Sequence, residues 1–161
     1  MIAAFLESIK YVGHMWPVAI LRILLGYKYL DGAIARIQEG YLEHAYISER
    51  LILTTGEVAA SSSLYYDIFK GLAQTQWLAM TYVFIGIELI VGAAYLIGYC
   101  VRMAGILGLI LSLHIFLFFD FPSAPAQVYL FYIHLLFLFL GAGRCLGLDY
   151  YFYKSRRGLL W

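Results

Sequence analysis

What most constrains this chain is how rarely charge interrupts its second half. From Trp77 to Leu146 the Asp, Glu, Lys and Arg residues are Glu88, Arg102, Asp120 and Arg144 alone. A domain folded in water keeps roughly a quarter of its residues charged, whereas 13% of these 161 residues are charged and 63% are apolar. Mean hydropathy is +0.80. A bilayer tolerates such a composition, provided that each segment satisfies its own backbone polar groups, as a helix does. The expectation is an all-α integral membrane protein forming one compact domain.

Four runs approach the ~20 residues that cross a hydrocarbon core: about 16–37, 77–100, 101–121 and 126–146. Pro17 suits the first turn of a helix. Short links, Gly98 to Arg102 and Asp120 to Pro125, imply antiparallel neighbours, with prolines breaking the second link. These features predict a four-helix transmembrane bundle. Residues 38–76 are too polar to span and too long for a bare connector. They are read as an extracytoplasmic helical cap, with short helices over Ser48–Leu53 and Ser63–Leu72; a loop is the plainer alternative. Lys10, Arg102, Arg144, Lys154, Arg156 and Arg157 gather on one side. By the positive-inside rule both termini face the cytoplasm and the cap faces outward. No cleavable signal peptide is expected at Met1–Met15. The location implied is the plasma membrane, multi-pass. A net charge of +1, without a basic patch, excludes a nucleic-acid partner.

Ionisable groups inside spans are costly and each needs a reason. The first run carries Arg22, Lys28 and Asp31, the second Glu88, the third His114 and the fourth His134. At a rise of about 1.5 Å per residue, Lys28, Asp31, His114 and His134 fall near one level, with Glu88 just beneath. The expectation is one buried outer pocket that holds an anionic or redox-active ligand and moves protons, with Asp31, Glu88, His114 and His134 as proton-transfer groups. The competing reading is that these groups pair with one another and glue the bundle. On a helical wheel His114 lies opposite Gly105, Gly108 and Ser112, so either that face meets another helix or the histidine points elsewhere. No Glu-x-x-His or His-Glu-x-x-His spacing occurs, and no metal is predicted. Cys100 and Cys145 fall at cytoplasmic helix ends, where a thiol–quinone exchange protein would want them, but no Cys-x-x-Cys motif is present. Arg22, Arg102 and Arg144 are expected to snorkel or to bind helix-end carbonyls. Most tyrosines and tryptophans suit an interfacial belt.

The stretch Leu21-Arg22-Ile23-Leu24-Leu25-Gly26, continuing to Tyr29-Leu30-Asp31-Gly32, resembles the opening of DoxX-type membrane proteins. So does Glu88 with Gly92 and Gly98 ahead of Arg102. The ending, Gly141-Ala142-Gly143-Arg144-Cys145-Leu146-Gly147-Leu148-Asp149-Tyr150-Tyr151 followed by Arg156-Arg157-Gly158-Leu159-Leu160-Trp161, resembles the DoxD branch, the small membrane subunit of thiosulfate:quinone oxidoreductase. That resemblance, which covers essentially the whole chain, implies oxidation of thiosulfate to tetrathionate with reduction of a membrane quinone. It also implies a DoxA-like partner subunit, expected as a separate polypeptide, or a homo-oligomer. A thiosulfate dianion calls for cations, and Lys28, Arg22, Arg36 and Arg50 are the candidates. Two alternatives stand beside this reading. One is a non-catalytic assembly factor or scaffold of DoxX type, and the other is a thiol–quinone redox protein using Cys100 and Cys145.

Overall fold

The structure, a computed structural model, describes residues 13–45, 64–118 and 125–156. Arg50, the Ser48–Leu53 segment and the Asp120–Ala124 turn lie outside the described residues. Within them there are six α-helices and no strand. They are α1 (Trp16–Gln38), α2 (Leu64–Thr75), α3 (Trp77–Ile97), α4 (Val101–Phe118), α5 (Pro125–Leu140) and α6 (Asp149–Arg156), with 3-10 turns at Gly13–Met15 and Ala142–Arg144. The all-helical expectation holds.

Helix ends follow from local chemistry. Pro17 occupies the first turn of α1, where a missing N–H costs nothing. α3 stops at Gly98, which takes the left-handed conformation (φ 69°) and donates its N–H to Ala94 O at 2.8 Å. α5 stops at Gly141 (φ 60°). The fourth run, expected to continue to Leu146, therefore ends as a helix at Leu140 and continues as a tight turn, because a left-handed residue terminates the i→i−4 ladder.

α3 is the one helix among the described residues long and apolar enough to cross a membrane, while α4 and α5 carry shorter apolar stretches, Val101–His114 and Val128–Leu140. α1 has 23 residues, interrupted by Arg22, Lys28, Asp31 and Arg36. The outward faces of α1, α3, α4 and α5 expose large apolar side chains, among them Leu24, Ile90, Ile110 and Phe139. Helices apolar all round are normally buried in protein or in lipid.

α1 packs on α3, α3 on α4 and α4 on α5, around a core of Leu25, Val91, Tyr95, Val101, Ala104, Phe137 and Ala142. The α1–α3 pair is antiparallel, and the two backbones nearly touch: a Cβ on Gly26 would lie 2.9 Å from Gly92 O, and one on Gly92 would lie 3.0 Å from Gly26 O. Small residues at a helix contact permit backbones to approach this closely. On α4 the Gly105–Gly108–Ser112 face meets α5: Gly105 sits against Leu138 and the His134 carbonyl, and Gly108 against the His134 ring. The described parts of the expected cap are the turns that follow α1 up to residue 45 and helix α2, whose Phe69 ring packs against Phe84 of α3 and His114 of α4.

Candidate functional site

The polar residues of the bundle separate into three tiers along its axis. The middle tier centres on His134 of α5, which is fully buried. Its Nε2 lies 2.7 Å from the Tyr29 hydroxyl of α1, and its Nδ1 lies 2.6 Å from the Tyr95 hydroxyl of α3. Gly108 of α4 completes the enclosure, because any side chain there would run into the ring. Four helices thus converge on one imidazole. A neutral imidazole donates from one nitrogen and accepts at the other. One tyrosine therefore donates to His134 while the other accepts from it, and transfer of one proton across the ring reverses both bonds. Ser112, one turn beyond Gly108, is buried; it approaches Tyr29, but its Oγ makes no well-formed hydrogen bond.

Towards the Gln38 end of α1 lies the second tier. Arg36 Nη1 donates to Glu88 Oε2 in a close ion pair, the carboxylate side chain 9% exposed and the guanidinium 40%. The arginine reaches back along α1 past Gly32, where a Cβ would stand 3.4 Å from Nη1. Tyr29 lies within electrostatic range of both partners, which links this tier to the middle one.

The third tier, at the opposite end, is a knot built by Arg22 and residues 142–149. Arg22 is fully buried. Its Nη1 donates to Ala142 O at 2.8 Å and to Cys145 O at 3.3 Å, and its Nη2 donates to Leu146 O at 2.9 Å. Asp149 caps α4 by accepting from the N–H groups of Cys100 (2.7 Å) and Val101 (3.1 Å), and its own N–H donates to Gly98 O at 2.9 Å. Burial raises the Asp149 carboxyl above its usual range, opposed by those two N–H bonds and by the Arg22 charge. Gly143 makes room for Asp149, and a Cβ on Gly98 would lie 2.5 Å from Gly147 Cα. Replacing Asp149 with asparagine should weaken the α4 cap by about 0.5–2 kcal/mol, the range for lost caps, read as a lower denaturation midpoint.

Several sequence expectations are corrected here. Lys28 and Asp31 do not join the cluster: both are exposed on the outer face of α1 and make no ion pair with each other, since Arg22, Leu25, Gly26 and Ala33 take the inward face. His114 does not share a level with His134. It lies between Phe69 and Phe84, with ring centroids 4.1 and 4.7 Å away, about 9 Å further along α4 than Gly108. The wheel left two outcomes open for His114, and both occurred: the glycine face meets α5 and the histidine points elsewhere. Arg22 grips helix-end carbonyls, and Arg36 is engaged by Glu88, so neither presents a free cation. Tyr29 and Tyr95 were missed as site residues. Tyr95 does share the face of Glu88 two turns away, which is the one signal the sequence offered.

Cys100 and Cys145 are free thiols. Burial pushes both above the ordinary thiol range, Cys145 in spite of the Arg22 charge. The thiolate is the reactive form, so alkylation at neutral pH under oxidising conditions should find both sulfurs free, with Cys145 the slower to label. A disulfide-linked fraction in the mass spectrum would contradict this. Among the described residues no group of three or more His, Cys, Asp or Glu residues stands ready for a metal ion.

No family model, curated protein or solved structure matches this chain.

Proposed function

We propose that the chain is a four-span membrane bundle of DoxX/DoxD type, in which the Tyr29–His134–Tyr95 chain serves proton transfer to a membrane quinone, with thiosulfate as electron donor. The observation that carries it is the imidazole bonded through both nitrogens to hydroxyls from two other helices. An imidazole held in that way accepts a proton at one nitrogen and releases one from the other. The Glu88–Arg36 pair lies within electrostatic range of Tyr29, its carboxylate buried and its guanidinium partly exposed, and supplies the place where a proton enters or leaves. In the overall chemistry two thiosulfates join through a new S–S bond and release two electrons; the quinone takes up those electrons and two protons to give the quinol. His134 and its tyrosines would deliver the protons and Glu88 would replenish them. The sulfur anion needs a cation as its partner, and Arg50 or a DoxA-like subunit is the source the proposal allows.

The test uses the purified chain in lipid nanodiscs with decylubiquinone and thiosulfate, with and without a co-expressed partner. Quinol formation should depend on thiosulfate. It should fall about 10²-fold or more in Glu88→Gln and in His134→Ala, the scale of a lost acid–base group. A folded wild type inactive in both arms would sink the proposal. A second reading, a non-catalytic assembly factor, is favoured by one specific observation: both terminal nitrogens of Arg22 and both His134 nitrogens are hydrogen-bonded inside the chain, as structural glue would be. It expects the same variants to lose thermal stability with no quinone signal at all.

A further inference from the structure

The feature this function leaves unused is the outer face of α1. Lys28 and Asp31 sit three residues apart on it, both exposed and unpaired. Lys28 lies ten residues from Gln38 and twelve from Trp16, near the middle of a 23-residue helix. A lysine can extend its amine along the helix towards water. An aspartate has no such reach, and Asp31 stands about 10 Å inside the nearer helix end. In a bilayer the pair therefore needs protein against it.

The surrounding residues say what kind. Leu21, Leu24, Lys28, Asp31, Ala35 and Gln38 follow one another at alternating spacings of three and four. That is the seam pattern of a helix packed along its length on another helix. Leu24 is 59% exposed and Leu21 38%, so none of the described residues closes over this part of the seam. The charges are self-complementary, with one cation and one anion one turn apart. Pairing within the helix is unattractive, because the cation precedes the anion, the weaker order along the macrodipole.

We infer that α1 is a homodimer seam, on which a second copy of this chain packs in parallel so that Lys28 of each copy meets Asp31 of the other. Two copies inserted in the same sense are related by a two-fold axis along the bilayer normal, and a two-fold contact makes each such pair twice. Both charges are then neutralised within the bilayer, and the apolar residues on either side close over them. This inference rests on the membrane reading, though not on the redox chemistry.

The experiment measures energy transfer between copies carrying donor and acceptor fluorescent-protein fusions in phosphatidylcholine vesicles, diluted over a range of lipid ratios. Wild type should associate. K28D alone and D31K alone should each lose self-association at least tenfold, since each makes the seam like-charged. K28D mixed with D31K should associate again, as should the double variant K28D/D31K with itself. Circular dichroism and resistance to alkaline carbonate establish that each variant is folded and inserted. For any variant that fails them, K28M and D31N replace the reversals and should weaken association in the same direction. Association of the single variants equal to wild type, or no recovery in the mixture, overturns the seam. Carbonate-resistant wild type with no energy transfer at any dilution overturns the seam alone, whereas release of wild type by carbonate overturns the membrane reading and the seam with it.

Discussion

Replacing Arg22 with alanine should cost the fold about 3–5 kcal/mol, the range for removing one partner of a buried charged network. The guanidinium holds three carbonyls of the turn after α5, those of Ala142, Cys145 and Leu146. Truncation leaves these acceptors buried with no donor, at about 1–3 kcal/mol for each one that cannot find water. It also removes the cation that steadies Asp149, and Asp149 holds the first turn of α4. Arg22→Lys should recover only part of the loss, because a single ammonium cannot reproduce a planar fork spanning three acceptors. The measurements are the thermal midpoint in detergent and the alkylation rate of Cys145, which is 1% exposed in the native fold. Faster labelling at unchanged secondary structure would show the knot opening. An R22A protein as stable as wild type, with Cys145 still protected, would mean that the turn is held by something other than this side chain.

A second large effect is expected at Gly108. Any Cβ there meets the His134 ring, and the ring is pinned on both nitrogens, so it cannot swing away without breaking a bond to Tyr29 or Tyr95. Gly108→Ala should destabilise by about 1–3 kcal/mol, the cost of overpacking a filled core, and should abolish quinone reduction if that activity runs through His134. Adding His134→Ala supplies the missing room, so the double variant should be markedly more stable than the two single losses summed, the signature of residues in direct contact. Gly86→Ala is the control. Nothing lies within 4 Å of a Cβ at that position, and helix propensity predicts a neutral to mildly favourable change of up to about 1 kcal/mol. If G108A and G86A behaved alike, the close packing of α4 on His134 would be disproved.

These two sites show where reading the chain by itself succeeds and where it stops. The helices were legible because periodicity is a local property: apolar runs, Pro17 near one start, and Gly98 in the link where one run ends; the stop at Gly141 was not, since the apolar run continues past it to Leu146. Arg22 as a binder of helix-end carbonyls was legible too, since a buried arginine must find acceptors and helix ends offer them. His134 and Glu88 stood out because ionisable groups in apolar segments always require a partner. Depth counting along separate helices misled, however. It put Lys28, Asp31, His114 and His134 at one level, but the rotation of each helix decides which groups face inward. Gly26 against Gly92 turns α1 so that Lys28 and Asp31 point away from the bundle, and Gly108 against His134 turns α4 so that His114 faces the Phe69–Phe84 pair.

The sequence by itself therefore determined the helical class of the chain, the rough extent of its apolar helices and the short list of polar residues that had to be explained. Only the tertiary structure decided who meets whom: Tyr29 and Tyr95 with His134, Arg36 with Glu88, and Arg22 with the turn 120 residues further on. The reason is physical. A helix is closed by hydrogen bonds between residues four apart, which the local sequence specifies, whereas the rotation of one helix against another is set by which glycines let two surfaces come into contact, and a single chain read in order does not contain that pairing.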